Sequence, residues 1–221
     1  EVLLRWHTEQ WGDVSPAIFV PVLEDTGLIS TVGEWVLRKT CEAYMANQSY
    51  LPDDFLMAVN LSGRQFKGNL LVNFIRNLLE QTGMPAKNLE LEITESLLME
   101  NTEQAVQTLR ELSLLGITLA IDDFGTGYSS LSYLKQFPLN VLKIDRTFVR
   151  DVTEDSDDAA IVNAILAMSN SLALEVVAEG VETAEQLAFL RKSQCKRAQG
   201  FYFSKAIDLN DLMDYIKQTD Q

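Results

Sequence analysis

Residues 117–125 read Ile117-Thr118-Leu119-Ala120-Ile121-Asp122-Asp123-Phe124-Gly125. Side chains alternate across a strand, so Ile117, Leu119 and Ile121 share one side and Thr118, Ala120 and Asp122 the other. Neither side carries charge until the stretch ends in two adjacent carboxylates. That pattern belongs to a strand covered on both faces, as in a parallel sheet. It carries its acids to the end of the strand and leaves the middle apolar.

The same design recurs on either side. Leu89–Thr94 sets Leu89, Leu91 and Ile93 against Glu90, Glu92 and Thr94. Phe55–Asn60 puts Ala58 and Asn60 on one face. Val141–Asp145 does so with Val141, Lys143 and Asp145, and Glu175–Glu179 with Glu175, Val177 and Glu179. Glu1–Arg5 and Ala198–Tyr202 complete seven expected strands. Helical periodicity marks Pro16–Glu24, Val32–Ala46, Leu70–Gln81, Thr102–Leu115, Ser130–Gln136, Ala159–Ser171, Ala184–Ser193 and Leu209–Gln218 between them. The stripes Leu112, Leu115 and Ile161, Ile165, Met168 are expected in the core. Ser15 ahead of Pro16, Asn101 and Thr183 stand where helix caps belong, and Gly83 and Gly116 where helices end.

Repeated strand–helix units imply a parallel sheet. Polar residues fall at strand ends all along the chain, which favours a TIM-like (β/α)8 barrel over an open doubly wound sheet. Seven strands are one short of eight. With Glu1 opening a strand, the expectation is one domain over 1–221 whose first strand is missing from this chain.

Composition narrows the function. The chain has 221 residues, 47% of them hydrophobic and 23% charged, enough for a sizeable core. A net charge of −14 disfavours duplex nucleic acid and anionic membranes as partners. The two cysteines, Cys41 and Cys195, have no metal-ligand spacing and read as reduced thiols of a cytoplasmic protein. A single histidine, His7, argues against a zinc site or a Ser-His-Asp triad.

Asn60, Glu92, Asp122, Asp123, Lys143, Glu179 and Gln199 therefore converge on the C-terminal mouth of the expected barrel, and Glu1 can join them. Carboxylates buried together need counter-charge, and Lys143 alone is too little. Hard oxygen donors without His or Cys select Mg²⁺ or Mn²⁺. Two such ions, bridged by a carboxylate of the Asp122-Asp123 pair, suit in-line attack on a phosphodiester. Any one of these acids alone would read as a helix cap or loop entry; their joint occurrence on successive strands would not. Asp123-Phe124-Gly125 lacks the other kinase motifs, and Gly125-Thr126-Gly127 lacks the lysine of a P-loop. The acidic run Asp151–Asp158 reads as a solvated loop with helix N-terminal charges.

Taken in order, these blocks resemble the EAL family of cyclic di-GMP phosphodiesterases over essentially the whole chain. Glu1-Val2-Leu3-Leu4-Arg5-Trp6 is similar to its opening signature, with valine for the usual alanine. Val59-Asn60-Leu61-Ser62, Glu92-Ile93-Thr94-Glu95-Ser96, Asp122–Ser130, Leu142-Lys143-Ile144-Asp145, Ala178–Thr183 and Gln199-Gly200-Phe201 follow. Lys205-Ala206 departs from a family proline.

The resemblance implies cleavage of cyclic di-GMP to linear pGpG with two Mg²⁺ or Mn²⁺ ions. Glu1, Asn60, Glu92 and Asp122 would bind one ion; Asp122 and Asp123 would bind the other, with Glu179 nearby. Lys143 would position or activate water, and Gln199 would support water or substrate. Leu3, Arg5 and Asp145 would contact the dinucleotide, Arg5 through a phosphate. Glu95 would shape the loop 123–130, a region associated with homodimer contacts. Upstream sensor or GGDEF domains, and tethering to the inner membrane through them, accord with the family. The alternatives are a receptor that binds cyclic di-GMP without cutting it, and a protein-interaction scaffold, which leaves the acids unexplained.

Overall fold

The computed structural model describes residues 1–66, 69–100, 102–126 and 134–219. In chain order the elements are β1 (Trp6–Thr8), β2 (Gly12–Val14), α1 (Pro16–Thr26), α2 (Ile29–Asn47), β3 (Met57–Leu61), α3 (Asn69–Thr82), β4 (Leu89–Thr94), α4 (Glu95–Glu100), α5 (Thr102–Leu114), β5 (Thr118–Phe124), β6 (Val141–Ile144), α6 (Arg146–Arg150), α7 (Ser156–Ser171), β7 (Glu175–Ala178), α8 (Ala184–Lys192), β8 (Arg197–Ala198) and α9 (Leu209–Thr219). Strands β3 to β8 form a six-stranded parallel sheet in chain order, and β1 and β2 a separate antiparallel hairpin. The alternation of strands and helices expected from the sequence is the α/β architecture observed.

The chain divides into two compact units. The first comprises Glu1–Ile93 with Glu103–Thr118. Here α2 packs on α1, α3 and β3. Helix α3 buries Leu71, Val72, Ile75 and Leu78, the stripe that a 3.6-residue period generates. Each such side chain contributes about 1.5–3 kcal/mol when fully buried. Strand β3 pairs with β4 in a register that sets Ala58 beside Glu90 and Asn60 beside Glu92.

The second unit comprises Thr94–Thr102 with Leu119–Gln221. Ala120, Val141 and Val177 meet in one buried cluster. They are the residues that alternation assigns to one face of β5, β6 and β7, so the facing read from the sequence holds here. Asn140 ties the strand starts together: its Oδ1 accepts from Leu119 N–H (2.9 Å), its own N–H donates to Leu119 O (2.9 Å), and its carbonyl accepts from Glu175 N–H (2.9 Å).

Several expectations need correction. Glu1–Arg5 is not a strand: Val2 alone makes a parallel bridge to Val59, its N–H donating to Ala58 O at 2.8 Å. The chain then turns into the β1–β2 hairpin, with Gly12 left-handed at φ 65° where the second strand begins. The last strand is Arg197–Ala198 instead of Ala198–Tyr202; residues 201–203 form a turn. Ser15 sits at the cap position of α1 without a side-chain cap bond, leaving Pro16 as the start signal. On α7 the buried stripe is Val162, Ile165, Leu166 and Ser169, whereas Ile161 is exposed. Asn101 and most of the expected helix 130–136 lie outside the described residues.

Other caps agree with the sequence. Thr183 Oγ1 accepts from Gln186 N–H (3.2 Å) while Gln186 Oε1 accepts from Thr183 N–H (2.9 Å), a reciprocal box opening α8. Gly83 and Gly116 take positive φ as expected. Ala173 (φ 57°) and Gln194 (φ 62°) occupy the same left-handed position after α7 and α8 without being glycine. A Cβ is costly there, so Ala173→Gly and Gln194→Gly are each expected to stabilise by about 1 kcal/mol, read as a rise in the thermal midpoint.

Candidate functional site

The acids of β5 owe their placement to a break in pairing. Ala120 and Ile121 align with Val141 and Leu142, but the next matched pair is Phe124 with Ile144. Asp122 and Asp123 together therefore oppose Lys143 alone. An extra residue of this kind is a bulge, which bends the strand and re-aims side chains. Asp123 carries its cost, with φ at 54°. The bulge lets two consecutive residues serve one side where strict alternation would allow one.

Carboxylate oxygens of Asp122, Asp123 and Glu179 all lie within 4.8 Å of one another. Lys143, 2% exposed, sits among them with Nζ 2.7 Å from Glu179 Oε1 and 3.4 Å from Asp122 Oδ1. Like charges 4 Å apart repel by about 4 kcal/mol at an effective dielectric constant of about 20. Three carboxylates against one ammonium leave two negative charges, which one divalent cation cancels. Burial, then the Asp122 and Asp145 carboxylates, push the Asp123 carboxyl above its usual range, and Lys143 pulls it only part of the way back. This donor set fits a hard divalent ion, and the cluster could bind a metal.

Asp145 lies one residue past β6. Its Oδ1 accepts from Thr147 N–H (2.9 Å) and from Thr147 Oγ1, which caps α6. Burial pushes this carboxyl up, but the two Thr147 bonds and a bond from Asp123 outweigh it and hold Asp145 below its usual range. Thr147, two residues on, is the spacing of a local Asx turn and was the available sequence signal.

Two glycines fix the ends of β7 and β8. A Cβ on Gly200 would fall 2.1 Å from Val181 O and 2.3 Å from Val181 N, and one on Gly180 would fall 2.4 Å from Arg146 Cβ. Val181 N–H donates to Gln199 O (3.0 Å) and Gln199 N–H to Ala178 O (2.8 Å). Glu179 and Gln199 are thus held on two backbones in direct contact. Glu95, buried at the start of α4, accepts from Gly125 N–H through Oε2 at 2.9 Å. Gly125 itself abuts the Phe148 ring, where an added Cβ would be 2.7 Å from Cε2. Of the loop 123–130, residues 127–130 lie outside the described residues.

In the first unit, Asn60 Nδ2 donates to Glu1 Oε1 at 2.6 Å, and Glu92 is the β4 neighbour of Asn60. Glu92 is buried; Glu1, Asn60, Leu3 and Arg5 are exposed. Each unit thus gathers its own share of the sequence-expected residues.

A parallel α/β sheet carrying metal-competent carboxylates where its strands end defines a class, and the comparisons name it. The EAL domain model matches residues 1–206, and the chain belongs to the EAL domain family of cyclic di-GMP phosphodiesterases. It is 42% identical, over 98% of its length, to the cyclic di-GMP phosphodiesterase NbdA of Pseudomonas aeruginosa, covering 28% of that protein. It is 44% identical, over 96% of its length, to the bifunctional diguanylate cyclase/cyclic di-GMP phosphodiesterase MucR of the same organism, covering 31%. A solved MucR phosphodiesterase in complex with c-di-GMP matches with a TM-score of 0.91 and 44% identity, over 95% of this chain and 85% of that one. The chain thus spans about a quarter to a third of the curated relatives it matches. No described helix is long and apolar enough to cross a membrane.

Excess Mg²⁺ or Mn²⁺ is expected to raise the thermal midpoint. An ion at a hundred times its dissociation constant stabilises by about 2.7 kcal/mol. Asp122→Asn or Asp123→Asn should abolish most of that rise. Lowering the pH should shrink it as well, because protons compete for the raised Asp123 carboxyl; a shift unchanged by either substitution would place the ion elsewhere.

Proposed function

We propose that this protein hydrolyses cyclic di-GMP to linear pGpG. The observation that carries the proposal is the Asp122–Asp123–Glu179 cluster with Lys143 ion-paired inside it, in a chain of this family. A protein that only bound partners would have no use for acids crowded around a buried lysine. Glu1, Asn60, Glu92 and Asp122 would hold one Mg²⁺ or Mn²⁺ ion, and Asp122 and Asp123 a second, with Glu179 beside it. Such a pair, when bound, supplies an activated water and stabilises charge on phosphoryl oxygens.

The chain's own groups do the rest. Lys143 holds Glu179 through its ammonium, and in this proposal it orients the attacking water by donating to its oxygen. Gln199, on the backbone next to Glu179, supports water or substrate. Arg5 meets a phosphate, and Leu3 and Asp145 meet the rest of the dinucleotide. Glu95 positions the start of the loop 123–130 through Gly125 N–H. Homodimer contacts around that loop, and fusion to upstream sensor or GGDEF domains in the cytoplasm, belong to the same proposal.

Incubation with cyclic di-GMP and Mg²⁺, followed by chromatography, is expected to yield pGpG. Binding without product would make the protein a receptor, and neither would remove the ligand altogether. Lys143→Ala is expected to lower kcat by about 10²-fold or more while the Mg²⁺-induced thermal shift persists. Wild-type turnover in that variant would take Lys143 out of the mechanism.

A further inference from the structure

A cavity of about 280 Å³ opens at the beginning of β7 and β8, at the opposite ends of these strands from Glu179 and Gln199. Nothing in the proposed chemistry uses it. One wall is apolar, built from Leu166, Ala173 and Leu174. Another wall is the turn Gln194-Cys195-Lys196-Arg197, and Asn170, Glu175 and Val176 complete the lining. Its size is near the lower end of small-molecule sites, roughly 300 Å³.

Charge sets this wall apart from the rest of the molecule. Between Arg191 and Arg197 the chain carries four of its 18 Lys and Arg residues and no acid, in a protein of net charge −14. Arg197 is already committed to Glu175, Nη1 to Oε2 at 3.2 Å. Lys196 has no ion-pair partner among the described residues. Gln194 (φ 62°) and Ala173 (φ 57°), the left-handed residues that follow α8 and α7, both line the cavity.

We infer that this cavity binds a small amphipathic anion, its apolar part against Leu166, Ala173 and Leu174 and its acid group at Lys196. The site lies wholly within the second unit and is independent of catalysis. Both strands that lead to Glu179 and Gln199 begin in its wall, and only Ala198 separates Arg197 from Gln199.

Cys195 lines the cavity and reports on it. Its Sγ lies 3.3 Å from Arg197 O, and the residue is partly exposed. Burial raises both thiols, Cys41 to about 11, but Cys41 is fully closed to reagent and contributes only a slow background. In mildly alkaline buffer the Cys195 thiolate attacks one sulfur of an aryl disulfide, forming a mixed disulfide and releasing the aryl thiolate; the thiol proton goes to solvent. Two reagents are compared, the dianionic dithiobis-nitrobenzoate and the neutral dithiodipyridine, each normalised to its rate with free N-acetylcysteine.

The expected result is an advantage of about tenfold or more for the dianion, lost in Lys196→Glu while the neutral reagent keeps its rate. Cys195→Ser should remove the fast phase. Naphthalenesulfonate should protect Cys195 saturably, and sulfate at equal ionic strength should not. Equal normalised rates would overturn the proposal. So would protection by sulfate as good as by naphthalenesulfonate, which would mean a bare charge patch, and so would failure of Cys195 to react with either reagent, which would mean no open cavity.

Discussion

Crowded negative charge is the constraint around which the second unit is organised. Asp122, Asp123 and Glu179 bring their oxygens within 4.8 Å of one another, and a single ammonium, Lys143, stands between two of them. Water would screen such charges, but Lys143 is 2% exposed and Asp122 is 8% exposed. Burial first, and then repulsion from Asp122 and Asp145, leave the Asp123 carboxyl harder to ionise than an ordinary aspartate. A divalent cation would relieve this repulsion, and the cluster could bind one.

Holding that arrangement is the task of the surrounding backbone. The β5 bulge turns two neighbouring carboxylates to one purpose. The contact of Gly200 with Val181 and of Gly180 with Arg146 leaves no room for a Cβ, and so fixes where β7 and β8 deliver Glu179 and Gln199. Glu95 anchors the peptide of Gly125 just beyond the bulge. Each device acts on main chain, which is stiffer than any side chain and so suits a site with tight oxygen–oxygen distances.

The two ends of β7 and β8 differ in charge, for at the beginnings Glu175 is paired to Arg197 with Lys196 beside them. The ends bearing Glu179 and Gln199 adjoin the acidic cluster, whereas the beginnings adjoin Lys196 and Arg197 at the end of a run of cations.

The sequence by itself determined the parallel α/β class, the facing of Ala120, Val141 and Val177, the caps at Thr183, Gly83 and Gly116, and the identity of the acids. All follow from local periodicity and turn chemistry, which a stretch of chain carries within itself. Tertiary structure alone decided that Glu1–Arg5 yields one bridge and a hairpin, that α7 buries Val162 in place of Ile161, and that Asp123 joins Asp122 on one side of a strand. A bulge is a mismatch between two strands, and the rotation of a helix is set by what it packs against. Neither quantity exists until the partners meet.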